Sequence, residues 1–227
     1  MTLLKNYKSL RFIGNEENTI QMLQGQLTSD IYGVTESYSQ LSAMCDEKGF
    51  TIADIFVSKE NEDYLITLPE SLVNSVRSEL ERYLPFYKVS CEIDSRLVVG
   101  IIKDHIDKHC YFETKQASFG LEFLTTVSSD INKLNEWRLL HWQQGIYFLQ
   151  DFKRKRLRPQ EIGFEENRIN FSKGCYRGQE IIARMHYLSK KKTSLNLLSS
   201  KDKPEDKNIL SEIIFHQNLY WFLQKTK

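Results

Sequence analysis

The chain has 227 residues, 41% of them hydrophobic and 27% charged, with 31 Lys and Arg against 30 Asp and Glu for a formal net charge of +1. That is enough apolar sequence for one large domain or two modest ones, and the balanced charge excludes a protein held to nucleic acid by bulk electrostatics. Ten glycines and four prolines exclude collagenous or low-complexity chains; the absence of a signal-peptide pattern and of any long apolar run gives the expectation of a soluble, cytoplasmic protein with no membrane association.

In chain order, Ser9 to Ile13 reads as a strand, followed by a Gly14-Asn15 turn and a helix from Glu16 to Gln24 that Gly25 would close in a left-handed cap. Leu41 to Cys45 leads into Asp46-Glu47-Lys48-Gly49, a hairpin signal, and Phe50 to Val57 and Tyr64 to Leu68 read as strands about a Glu60–Asp63 turn. Pro69 opens a helix striped by Leu72, Val73, Val76, Leu80 and Tyr83, and strands follow at Val89 to Ile93 and Leu97 to Ile102. This order predicts an α+β unit on one antiparallel sheet.

Cys110 to Leu124 predicts two strands around Gly120. Ser128, Ser129 and Asp130 offer N-caps for a helix through Ile131, Leu134, Trp137 and His141, stopped by Gly145. The aperiodic stretch from Gly145 to Lys173 reads as a long loop, Ser189 to Lys192 as a linker, and three short strands are expected at Thr193–Leu198, Ile209–Phe215 and Leu219–Leu223.

The four cysteines, Cys45, Cys91, Cys110 and Cys175, form no Cys-x-x-Cys pair, and the histidines show no metal spacing, so no metal site is expected. His105 and His109, four apart, read as a surface helical pair, and His186 reaches Cys175 only if the chain folds back. One cysteine differs from the rest. Lys173-Gly174-Cys175-Tyr176-Arg177-Gly178-Gln179-Glu180 places Cys175 between Gly174 and Gly178 just before a helix, where the dipole, Lys173 and Arg177 would favour thiolate. An inert small residue is the competing reading.

This segment resembles the Lys-Gly-Cys-Tyr-x-Gly-Gln-Glu signature of the YgfZ-type folate-binding proteins, relatives of the glycine-cleavage T-protein, an aminomethyltransferase. Leu23 to Asp30, Cys45 to Gly49 and Pro159-Gln160-Glu161 resemble further motifs of that family in the same order, so the resemblance spans residues 10 to about 187. It implies an α+β body (1–187) of antiparallel sheets and helices around a central channel that binds tetrahydrofolate or another folate, with a ferredoxin-like α+β segment near 43–111. An abridged β-barrel-like domain (188–227) would follow, too short to close a barrel.

The resemblance also implies Cys175 and Lys173 as the catalytic pair, with Trp137, Gln143, Asp54, Tyr176, Gln179 and Glu180 around the folate. Trp137 would offer an indole face to the pterin; core packing is its other reading. The implied function is a folate-binding accessory protein in iron–sulfur cluster assembly or repair, acting through Cys175, with iron–sulfur enzymes or assembly proteins as partners and an indirect role in tRNA modification. The alternatives are an aminomethyltransferase-type one-carbon transferase and a folate-free module binding protein or RNA.

Three positions depart from the family. Ser9 and Leu10 stand where a second tryptophan is expected, Gln143 replaces the acid that holds the pterin, and Ala53 replaces the first acid of the catalytic Asp-Asp element, which argues against aminomethyl transfer. The basic run Lys153, Arg154, Lys155, Arg156 and Arg158 reads first as a solvated loop and second as a weak RNA-phosphate contact, helped by Lys190, Lys191 and Lys192.

Overall fold

The structure, a computed structural model, describes residues 1–127, 133–151, 156–188, 194–205 and 207–226. Strand β1 (Thr2–Leu3) and strand β2 (Tyr7–Ile13) lead into helix α1 (Glu16–Gln26), capped by the Asn15 side chain, which accepts from the Asn18 N–H. Gly25 lies inside α1 rather than closing it; the helix ends where Leu27 turns extended, its N–H bonding the Leu23 carbonyl. Next come β3 (Gln40–Cys45), β4 (Thr51–Glu60), β5 (Asp63–Pro69), α2 (Glu70–Glu81), the single turn α3 (Leu84–Tyr87) and β6 (Ser90–Asp94). Asn61 takes a left-handed φ of 55°, so two residues suffice between β4 and β5 and the strands extend further than the polar composition predicts.

These strands form a five-stranded antiparallel sheet in the order β3-β4-β5-β2-β6. One face, with Leu10, Phe12, Ala53, Ile55, Val57, Ile66 and Leu68, packs on Ile20 and Leu23 of α1 and on Val73, Val76 and Leu80 of α2. Helix α2 buries these three at i, i+3 and i+7, the apolar stripe of an amphipathic helix.

β7 (Leu97–Lys103) does not join this sheet. It pairs with β1 and β9 in a second, four-stranded sheet ordered β1-β7-β9-β8, with β8 at Cys110–Glu113 and β9 at Ser118–Leu124. The segment near 43–111 is therefore shared between two sheets and is not a self-contained ferredoxin-like unit. Strand periodicity told that β7 exists but could not choose its partner. The turn between β8 and β9 falls at residues 114–117, and Gly120 sits inside β9, where a Cβ would crowd the His109 carbonyl and Ile106.

Helix α4 (Leu134–Gln143) lies across the inner face of both sheets; its expected caps Ser128, Ser129 and Asp130, and Ile131 of the expected helix, lie outside the described residues, and Gly145 takes a left-handed φ of 73° just after it. The described residues of the stretch from 145 to 173, 145–151 and 156–173, are tied down rather than loose, with short 3-10 turns at Leu149–Asp151 and Pro159–Ile162. Helix α5 (Gln179–Leu188) follows, and β10 (Ser194–Ser200), β11 (Ile214–His216) and β12 (Leu219–Thr226) form a three-stranded sheet ordered β10-β12-β11. Leu210, Ile214 and Leu223 of this sheet and its approach share a core with Ala43, Leu139, Trp142, Ile162 and Phe164. Among the described residues no helix is long and apolar enough to cross a membrane.

Candidate functional site

The sequence motifs converge in space. Asp46 folds the Cys45–Gly49 turn by accepting from the Lys48 and Phe50 N–H groups, and Gly49 takes a φ of 72°. Gly178, with φ 82°, lies against this turn so closely that a Cβ would strike the Asp46 carbonyl. Cys45, Tyr176 and Ile182 pack in one small core, and the Gln160 amide donates to the Ile182 carbonyl. The early motif joins through Thr28: its hydroxyl donates to the Arg168 carbonyl at 2.7 Å and accepts from the Ala43 N–H at 2.9 Å, while its carbonyl accepts from Asn170.

Lys173 fastens this assembly. Its ammonium donates to the carbonyls of Gln24, Leu27 and Ser29 at 2.7–2.8 Å, closing the C-terminal end of α1. Burial pulls its pKa down to about 7, whereas three carbonyl acceptors, one for each N–H, favour the charged ammonium. Lys173 therefore points into the core, and Arg177 is ion-paired with Glu47 and Glu79. The two cations expected to sustain a Cys175 thiolate are engaged elsewhere. Cys175 is the exposed thiol of the four; burial pushes Cys45 up to about 12, Cys91 to about 11, and Cys110 upward. Gly174 and Glu180 are also exposed, and a Cβ at Gly174 would enter open space. Gln179 opens α5 and accepts from the Tyr176 N–H at 3.4 Å.

Beside this loop lies a cavity of about 330 Å³, walled by Ser29, Asp30, Tyr38, Gln40, Leu41, Tyr111, Phe112 and residues 166–170. Beneath it Arg168, which sequence reasoning missed, donates to Asp54 at 2.7 Å and to the Tyr147 carbonyl at 2.8 Å. Both members of the Asp54–Arg168 pair are buried, and Asp54 also accepts from the Leu149 N–H. Asp54 is thus a structural ion-pair partner that fixes the floor, not a free carboxylate.

A second cavity of about 330 Å³ is lined by residues 3–7 with Leu134, Arg138, Gln150 and Glu212. Between the two runs a partition of rings. Tyr7 meets Phe56, Phe56 meets Tyr111 and Phe148, and Phe148 stacks on Trp137 at 5.0 Å and 15°. Trp137 is 3% exposed, with its second ring neighbour His141 at 4.1 Å and its indole edge against Gly100. Its faces are occupied by protein, and it lines neither of these two cavities. Gln143 is exposed at the end of α4 and likewise lines neither.

His141 lies in this partition with both nitrogens engaged: Nδ1 donates to the Trp137 carbonyl and Nε2 accepts from the Tyr111 hydroxyl at 2.7 Å. Burial pushes its pKa down to about 3, below the ordinary 6.5, so it is neutral. A depressed folded pKa means full stability above the unfolded value and progressive loss as pH falls from 6.5 toward 3. Urea unfolding of wild type between pH 7 and 4 is expected to lose stability more steeply than His141→Gln; equal slopes would exclude this origin.

Of the basic run, Lys153, Arg154 and Lys155 lie outside the described residues, as does the linker at 189–193. Arg156 and Arg158 lie over the Phe50 ring at 4.3 and 4.4 Å, and Arg156 also bonds Asp46. His105 and His109 precede β8 in a loop rather than sharing a helix face. His186 is bonded to Glu165 at 3.0 Å and stacked on Phe171 at 3.9 Å. No cluster of three metal-ligating side chains occurs among the described residues.

The fold is similar to that in the crystal structure of the glycine cleavage system aminomethyltransferase T from Bartonella henselae, which superposes with a TM-score of 0.69 over 98% of this chain and 77% of that one, at 9% identity. In sequence the chain resembles the tRNA-modifying protein YgfZ. It is 27% identical to the protein of that name from Colwellia psychrerythraea, over 87% of this chain and 71% of that protein, and 26% identical to the one from Vibrio atlanticus, over 88% and 69%. No family model matches the chain.

Proposed function

We propose that the protein is a cytoplasmic, tetrahydrofolate-binding accessory factor in iron–sulfur cluster assembly or repair, supporting tRNA modification indirectly, with Cys175 as its working thiol. The observation that carries this reading is an exposed Cys175 on a loop pinned by Asn170, which accepts from the Lys173 N–H and with Ile169 lines the cavity. The resemblance to YgfZ along most of the chain supports the link to tRNA modification.

One-carbon transfer is the weaker reading. Ala53 supplies no acid, and Asp54 is bound to Arg168 beneath the cavity, so no free carboxylate from this element reaches a folate amine. The test is complementation: in cells depleted of the protein, wild type restores iron–sulfur enzyme activity and thiolated tRNA, while Cys175→Ala, a change at an exposed side chain, does not. Equal restoration by Cys175→Ala would remove the thiol from the function.

A further inference from the structure

A further cavity, of about 410 Å³, is bounded by the loop that precedes β8 and by residues of β7 and β9. Ile101, Ile106, Phe123 and Leu124 give it apolar surface, and Lys108 and His109 line it beside them. None of its residues walls either cavity described above. His109 is 6% exposed and takes a left-handed φ of 53°, a conformation its neighbours impose. Its N–H donates to the Glu36 carbonyl at 3.0 Å, and its carbonyl accepts from the Leu121 N–H at 3.2 Å. Nε2 faces the Glu60 carboxylate at 3.6 Å, so in the neutral ring the proton sits on Nε2. Nδ1 is then a bare acceptor, buried without a partner among the described residues. Glu60 belongs to a network in which two guanidinium groups, Arg11 and Arg96, hold three carboxylates, Glu60, Asp63 and Asp94, leaving one negative charge in excess. A donor that is also a cation meets the bare acceptor and balances that charge. On the rim Lys103 pairs with Glu122 and His105 with Asp107. Lys108 is exposed and makes no hydrogen bond or ion pair among the described residues.

We propose that this cavity binds an apolar α-amino acid as its zwitterion, the ammonium donating to His109 Nδ1, the carboxylate meeting Lys108 and the side chain lying on Phe123, Leu124 and Ile101. The volume falls within the range of small-molecule sites, about 300–1,000 Å³. Burial of the acceptor and exposure of the cation set the polarity of binding: the ammonium end goes inward and the carboxylate stays at the mouth. The ammonium contact is the costlier to lose, because its absence leaves a buried acceptor and an unbalanced charge, whereas Lys108 without a carboxylate returns to water. The site is independent of the folate reading.

The experiment is a titration of the full chain, its histidines isotope-labelled and followed by nitrogen NMR, with L-phenylalanine, N-acetyl-L-phenylalanine and phenethylamine. L-phenylalanine is expected to saturate and to shift the His109 Nδ1 resonance. The acetylated analogue, which lacks the ammonium, should bind at least about tenfold more weakly, the usual worth of one charge-assisted hydrogen bond. Lys108→Ala, a change at an exposed side chain, should weaken L-phenylalanine by about two- to fivefold and leave phenethylamine, which has no carboxylate, unchanged. Equal affinity for the acetylated analogue, binding of L-phenylalanine with no shift at His109 Nδ1, or no saturation by about 10 mM overturns the assignment. An unchanged L-phenylalanine affinity in Lys108→Ala overturns it too, since the carboxylate then has no partner.

Discussion

Trp137→Ala is expected to lower the unfolding free energy by about 3–5 kcal/mol, the cost of truncating a buried large aromatic side chain in a core that relaxes only partly. The indole is the hub of the ring partition: stacked on Phe148, against His141, and so close to Gly100 that a Cβ there would clash with its edge. Its removal would leave a void between the two cavities and uncover the Tyr111–His141 hydrogen bond. Chemical denaturation reads the loss directly. A variant as stable as wild type but with its folate affinity abolished would reverse the assignment and return Trp137 to a ligand-stacking role.

Arg168→Met is the second large effect, again about 3–5 kcal/mol, because it strands a buried carboxylate at Asp54 rather than removing a pair. The side chains are 0% and 2% exposed and joined at 2.7 Å, so neither charge is screened by water. The guanidinium also lies 4.1 Å over Phe164 and bonds the Tyr147 carbonyl, tying both residues to Asp54 of the sheet. The double variant Asp54→Ala, Arg168→Met should recover part of the loss, since no unpaired buried charge remains. A single variant within about 1 kcal/mol of wild type would mean that the pair does not hold the cavity floor.

Local elements were legible because their signals are local. The α2 stripe, the turn at Asp46–Gly49 and the helix after Gly178 all follow from spacing or backbone chemistry within a few residues. The structure joins the segments that carry the motifs through Thr28, Lys173 and Gly178. What stayed hidden depends on distant partners. β7 reads as a strand, yet its place beside β1 and β9 is set by the N-terminal residues and by a strand more than fifteen residues on. Arg168 lies in an aperiodic stretch, and its counter-ion is 114 residues away. Lys173 looked like a cation beside a thiol, but three carbonyls of residues 24–29 draw it inward. Trp137 satisfies a folate motif and a core stripe equally well in sequence, and only the position of Phe148 separates the two.

The most direct measurement is a calorimetric titration of tetrahydrofolate into the wild-type protein at moderate salt, under reducing conditions. Saturable binding at one site is expected, unaffected by Cys175→Ala, whose side chain lies outside the cavity wall. No detectable binding up to about 1 mM, where the binding free energy is only about 4 kcal/mol, would contradict it.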